Sequence, residues 1–295
     1  YQEGWLLYEW RWQTDQKDTA RILKKPLWLG EQSIPGKTIL LHAEQGLGDT
    51  LQMVRYVPRV AALGAKVILE VPAALVPLLN TLKGEATIVT KGDALPGFDC
   101  HCPLMSLPLA FKTRVDSIPA PIPYLAADPH QQRAWRERLG TKTRPRIGLA
   151  WSGNLHHKND RNRSIGLRTL GPLLREDCEY HSLQKEVRIE DRPTLRGFAQ
   201  IQAHENELTD FSDTAALIVE LDLVISVDSA VAHLAGALGK AVWILLPYNA
   251  DYRWLTARSD SPWYPTARLF RQRGIGDWDG VIAELLSSIE HFQAY

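Results

Sequence analysis

Cysteine is scarce in this chain: Cys100, Cys102 and Cys178 are the only three in 295 residues. Three thiols give no disulfide framework and suit a reducing compartment, so the chain reads as cytoplasmic. No apolar run approaches the length of a membrane span, so no transmembrane segment is expected, and no signal peptide opens the sequence. An excess of charge of either sign is also missing. Lys+Arg and Asp+Glu each total 34, giving a formal charge of zero. That balance excludes general polyanion binding, and no nucleic-acid partner is expected. The chain opens on Tyr1 rather than Met and so reads as a piece of a longer protein.

Apolar residues are plentiful at 45%, and the length suits two domains of ordinary size. Strand and helix patterns alternate twice along the chain, which predicts an α/β fold of two Rossmann-like domains. In the first half, strands are expected at Thr38–Ala43, Lys66–Val71, Ala86–Thr90 and Phe98–Cys102, with helices at Asp49–Leu63 and Ala73–Leu82. In the second half, strands are expected at Arg146–Trp151, Glu179–Leu183, Leu208–Phe211, Leu223–Val227, Ala241–Leu246 and Ala267–Phe270. Helices are expected near Arg168–Arg175, Asp213–Leu221 and Ser229–Leu238, with a last amphipathic one at Trp278–Phe292. A Pro-rich extended run, Ile118–Pro123, and a helix at Pro129–Leu139 precede a linker at Gly140–Pro145. The expected division is an N-terminal helical segment at 1–27, a first domain at 28–142 and a second at 143–295.

The clearest local signal is Leu223–Pro247: a buried strand, a polar turn, a small-residue helix and a second buried strand. This is a βαβ unit, and Gly239 ends its helix as a residue tolerant of φ > 0. Asp228 and Ser229 stand where the helix begins. Its first amides are unpaired and its dipole is positive there, so the turn suits an anion such as a phosphate. The plainer reading, a helix capped by Asp228, stays open.

The first half has a second signal. A strand ending at His42-Ala43 leads through Glu44-Gln45-Gly46-Leu47-Gly48-Asp49-Thr50 into a helix. Two glycines let the backbone come close to a ligand. A dinucleotide fingerprint fits Gly46, Gly48 and a later acid, Glu70, but Leu51 stands where the third glycine belongs. Asp49 also places a negative charge where a pyrophosphate would sit. As chemistry, Asp49 is a carboxylate held ionised at a helix start, able to take a proton from a hydroxyl; as structure, it is an ordinary cap.

A third loop, Trp151–Ser164 (WSGNLHHKNDRNRS), carries Lys158, Arg161 and Arg163 after a strand. Such a loop can clamp a phosphate or simply be solvated. His156 and His157 lack a third metal ligand at any regular spacing, and Cys100-His101-Cys102 reads as a buried strand. Ten tryptophans allow stacking surfaces for sugars or bases, with Trp151, Trp254 and Trp263 in the loops of interest.

EQGLGDTLQMVRY, WSGNLHHKNDRNRS, SLQKE and VISVDSAVAHLAGALGK occur in this order. Together with DYRWLTARSDSPWYPTARLFRQ, they resemble the glycosyltransferase module of bacterial tetratricopeptide-repeat proteins. That module is similar to the ADP-heptose:lipopolysaccharide heptosyltransferase family. The resemblance spans about residues 30–290, and Gly4–Trp12 resembles the tail that follows a last helical repeat. It implies a GT-B fold, two Rossmann-like domains facing across a cleft, with donor bound by the second and acceptor by the first. It places the general base at Asp49 and acceptor-side contacts at Glu44, Gln45, Gly46 and Gly48. Donor contacts fall at Gly153, Asn154, Gln184, Lys185, Asp228, Ser229, Ala230 and His233. Ala230 stands where the family often has Gly, and the family's loop lysine has no counterpart, leaving Arg163 to supply its charge. The implied partners are a nucleotide-sugar donor, as co-substrate rather than cofactor, and a glycan or protein acceptor, with no metal. The alternatives are a non-catalytic nucleotide- or protein-binding scaffold on a decayed transferase fold, or another enzyme on paired Rossmann domains.

Overall fold

The computed structural model describes residues 2–14, 21, 23–82, 86–119, 121–290 and 292. Parts of the expected 1–27 segment, Ala120 of the Pro-rich run and His291 of the last helix lie outside the described residues. The chain forms two compact units, Tyr1–Leu125 and Ala126–Tyr295.

The first unit is built on a four-stranded sheet of β1 (Thr38–His42), β2 (Lys66–Val71), β3 (Thr87–Thr90) and β4 (Cys100–Pro103), in the order β3-β2-β1-β4. Every pairing is parallel. β1 and β2 are largely branched aliphatic, whereas β4 is Cys-His-Cys-Pro; Ile39, Leu40 and Leu41 of β1 are fully buried, as a sheet covered on both faces requires. The long helix expected at Asp49–Leu63 is broken in two, Leu47–Met53 and Val57–Ala61, with a 3₁₀ turn between them. Pro58, in the first turn of the second piece, lacks the amide needed to continue the first. The N-terminal helix Gln2–Tyr8 and the 3₁₀ turn Glu9–Gln13 belong to this unit. Trp5 is buried and donates through Nε1 to the carbonyl of Thr113, 2.9 Å away.

The second unit carries a six-stranded, all-parallel sheet: β5 (Arg146–Ala150), β6 (Glu179–Ser182), β7 (Ile201–Gln202), β8 (Leu223–Val227), β9 (Val242–Leu246) and β10 (Ala267–Arg271). Their order is β10-β9-β8-β5-β6-β7. The core packs Ile147, Leu149, Ile225, Val227, Leu245 and Phe270 beneath the helix Trp278–Ile289. The helix Pro129–Leu139 lies in this unit, not the first, so the division falls one helix earlier than 142/143. Gln132 and Arg136 of that helix bond Glu220, and Gln131 bonds Asp213 on the helix Phe211–Val219. The strand expected at Leu208–Phe211 is absent. Asp210 instead caps the helix Phe211–Val219, accepting from the amides of Ser212 at 2.7 Å and Asp213 at 3.3 Å.

Both sheets reverse direction once. From β1 the chain builds outward through β2 and β3, then returns to place β4 on β1's other side. From β5 it builds through β6 and β7, then returns to β8, β9 and β10. The carboxyl ends of β1 and β4, and of β5 and β8, therefore flank switch points, where parallel sheets bind ligands.

Candidate functional site

In the second unit, the switch point is filled by the Trp151–Ser164 loop after β5 and the Asp228-Ser229 turn after β8. Ser229 is the residue at the start of the helix Ala230–Ala237, and no side chain caps that helix end. The expected cap, Asp228, does not make the bond, and the Ser229 hydroxyl pairs instead with Ser226 Oγ at 3.0 Å. Ala232, Ala235 and Ala237 of this helix are fully buried. Gly239 ends it at φ 70°.

Arg163 is brought to this turn by the short helix Asp160–Arg163. Its Nη1 donates to the carbonyl oxygen of Asp228 at 2.9 Å. Its guanidinium lies flat against Gly153, where a Cβ would stand only 2.5 Å from Nη2. A cation and an uncapped helix start thus converge on one turn, an arrangement that receives an anion.

The loop is shaped by residues whose importance sequence reading missed. Asp160 accepts from Ser164 Oγ at 2.8 Å and is ion-paired with Arg188. Arg188 also reaches Ser164 Oγ at 3.1 Å and the carbonyl of Gly153 at 3.3 Å. No local pattern marks Arg188, which reaches back over 35 residues.

The remaining expected donor contacts divide. Gly153 lines the turn, its amide donating to Ser164 Oγ at 2.9 Å. Asn154 lies in the exposed part of the loop and accepts from the amide of His156 at 2.9 Å. Gln184 is buried and engaged at both ends: it accepts from the Ser152 amide at 3.2 Å and donates to the Ser152 carbonyl at 3.1 Å. It fixes the β5 turn rather than presenting its amide to a ligand. Lys185 is exposed, with its ammonium on the carbonyl of Leu208.

His233 is likewise an interior residue, 2% exposed. One ring nitrogen meets Tyr264 Oη at 2.8 Å and the other Arg253 Nη1 at 3.2 Å, while the ring stacks on Trp254. Arg253 is held in turn by Asp251 at 2.8 Å. Burial keeps the Asp228 carboxyl above the usual range; the nearby Arg253 works the other way. The DYRW segment therefore backs the turn from behind through Arg253. Trp151, Trp254 and Trp263 are fully buried, so they are core residues and not stacking platforms.

In the first unit, Asp49 stands in the first turn of the helix Leu47–Met53. Its Oδ2 accepts from the Gly46 amide at 3.0 Å, so the capping role is real. Glu44, expected on the acceptor-side loop, has a side chain only 3% exposed. Its Oε1 accepts from the Met105 amide, just past β4, and from Arg11, both at 3.2 Å. Burial pushes its carboxyl up to about 7. Gln45 donates to Tyr8 Oη at 2.6 Å. Gly46 is exposed and Gly48 half-buried. Glu70 is buried and ion-paired with Arg21, which leaves the dinucleotide reading without its ribose acid. His42 and His101 face each other at 3.2 Å, and burial lowers both, His42 to about 3. Among the described residues, no group of three or more His, Cys, Asp or Glu is arranged to hold a metal ion. No helix among them is long and apolar enough to cross a membrane.

One comparison with known proteins is local to the region of this turn, and the others span most of the chain. Residues 207–246, from the cap of Phe211–Val219 through β9, match the model of Glycosyltransferase family 9 (heptosyltransferase). Protein FlbA of Caulobacter vibrioides is 26% identical over 322 residues, covering 99% of this chain and 53% of that protein. The chain thus spans about half the length of the curated relative it matches. Among solved structures, E. coli ADP-heptose lps heptosyltransferase II matches at TM-score 0.57 and 15% identity, over 86% of this chain and 100% of that one. A glycosyl transferase family 9 protein from Veillonella parvula matches at 0.59 and 9%, over 88% and 98%. E. coli heptosyltransferase WaaC with ADP matches at 0.55 and 12%, over 86% and 99%. The chain has the α/β fold of parallel sheets seen in these GT-B heptosyltransferases, and its β8–helix–β9 segment carries the sequence pattern of glycosyltransferase family 9.

Proposed function

We propose that this chain is a nucleotide-sugar glycosyltransferase that moves a sugar to a hydroxyl of a glycan or protein acceptor, with inversion and without a metal. The observation that carries the reading is Arg163 seated on the Asp228 carbonyl beside an uncapped helix start. The family 9 match covers that turn, and the similar WaaC structure contains ADP.

The donor's diphosphate meets the first amides of the helix Ala230–Ala237 and the Arg163 guanidinium. Asp49, in the first unit, accepts the proton of the acceptor hydroxyl. The freed oxygen pair attacks the anomeric carbon on the face opposite the diphosphate. As that bond forms, the bond from the anomeric carbon to the phosphate oxygen breaks, and its electron pair leaves with the nucleoside diphosphate. Arg163 and the helix amides offset the charge that grows there, the role a metal takes elsewhere. The lysine that the resemblance implies has no aligned counterpart in this loop and Arg163 supplies only its charge, so the donor is defined by its diphosphate and not as ADP-heptose. A cytoplasmic location fits such a donor, and an upstream repeat region fits a module that handles a protein acceptor.

A thermal-shift series with UDP, ADP, GDP, CMP and NAD tests this on wild type, Arg163→Ala and Asp49→Ala. One diphosphate is expected to stabilise wild type and Asp49→Ala but not Arg163→Ala. No response to any nucleotide supports the scaffold instead, and a response to NAD alone a dehydrogenase. Sugar transfer is expected to survive EDTA; complete loss with chelator overturns the metal-free mechanism.

A further inference from the structure

The N-terminal segment Gln2–Gln13 is tied to the first unit in two places. Trp5 anchors one end on Thr113. At the other end, the Arg11 side chain, 4% exposed, enters the unit beside the carboxyl ends of β1 and β4. There Nη2 donates to Ser106 Oγ at 2.7 Å and to Glu44 Oε1 at 3.2 Å, and Nη1 to Glu9 Oε1 at 2.7 Å. The Tyr8 and Trp12 rings lie 4.9 and 4.3 Å from its guanidinium carbon. Gln45 reaches the Tyr8 hydroxyl at 2.6 Å. Both loop residues that meet the segment, Glu44 and Gln45, directly precede Gly46, whose amide the Asp49 carboxylate accepts.

Apolar burial does little to hold this segment. Leu6, Leu7 and Trp10 are 61%, 66% and 65% exposed, leaving Trp5 as its buried apolar anchor. A buried ion pair is about break-even against a well-packed apolar isostere, so it is a poor device for stability alone. It is a good device for fixing geometry, because both partners must be satisfied in one arrangement.

We infer that Arg11 and Tyr8 are positioning residues: the N-terminal segment holds the Glu44–Gly46 loop and thereby sets Asp49. The kinetic consequence rests on the transferase reading; the structural one does not. Hydrogen exchange and kinetics on the full chain separate them, using wild type, Arg11→Met and Tyr8→Phe. Tyr8→Phe removes one hydroxyl and keeps the fold if Arg11→Met does not. Arg11→Met is expected to speed exchange of amides 44–52 about ten-fold, with amides 223–246 unchanged and Tyr8→Phe smaller in the same direction. With a donor identified, kcat is expected to fall about ten-fold at unchanged donor KM, since Asp49 is displaced while the donor contacts are not. Unchanged exchange over 44–52 in both variants overturns the inference, as does an equal rise in 223–246. Exchange needs no substrate, so it decides the point even if the chain transfers no sugar.

Discussion

Gly153 shows how much of the candidate site hangs on one missing side chain. The Arg163 guanidinium, the far end of its side chain, occupies the space a Cβ would need, so the guanidinium must move off its Asp228 carbonyl partner to make room. Gly153→Ala is therefore expected to displace Arg163 and weaken diphosphate binding about ten-fold, close to the effect of Arg163→Ala. Nucleotide titration by calorimetry checks this; Gly153→Ala binding like wild type would remove Arg163 from the anion site. Sequence reading placed Gly153 and Arg163 in one loop, but not against each other. The family resemblance also put donor contacts at His233 and Gln184, and it carries no information about which partners in this fold already engage them. Tyr264, Arg253 and Ser152 are those partners.

At the scale of elements, the helix Ala230–Ala237 must sit tightly on its neighbours for its first amides to reach the turn. Gly236 is where the Tyr264 ring crosses that helix, and a methyl there would run into the ring. Tyr264 is fully buried and also bonds His233, so it has little room to retreat. Gly236→Ala is expected to destabilise the chain by about 2 kcal/mol, lowering the melting temperature by several degrees. A melting curve equal to wild type would show that the ring yields freely. This helix and its two strands were legible in sequence because the strands are short continuous apolar runs, and the small-residue stretch between them is bounded by a polar turn and Gly239. The expected strand at Leu208–Phe211 failed on one residue. Asp210 offers its carboxylate to two amides, and that local cap outweighs the strand propensity around it. The two-residue β7 has too few positions to show any period.

Across the whole molecule, buried histidines set the response to acid. His42 and His101 pair in the first unit, and His181 and His204 pair at 3.1 Å in the second. Burial pulls His42 and His181 down to about 3 and lowers His101 and His204. At that value His181 is neutral, so its 4.0 Å approach to Glu179 is no ion pair at neutral pH. The unfolded chain takes up protons near pH 6.5 and the folded chain does not. The histidine contribution to stability is thus fully present above about pH 6.5 and is lost as pH falls toward 3, while Glu44, pushed up to about 7 by burial, works the other way between pH 7 and 5. Between pH 6.5 and 5 His42 and His181, kept neutral, each account for about 2 kcal/mol. The melting temperature is expected to fall over that range, and His181→Gln to flatten the fall. A profile flat from pH 7 to 5 would contradict it.

What the sequence by itself determined is the alternation of strands and helices, the glycine loop ahead of Asp49 and the small-residue helix after Asp228. These are local: each is set by the period of apolar residues and by the backbone freedom of a few positions. Only the tertiary structure decided which polar groups meet. Arg11 finds Glu44 across 33 positions, Gln184 finds Ser152 across 32, and Arg163 finds the Asp228 carbonyl across 65. No local pattern records such pairs. They exist because parallel sheets return distant segments to the same edge, where a buried polar group must take whatever partner the fold delivers.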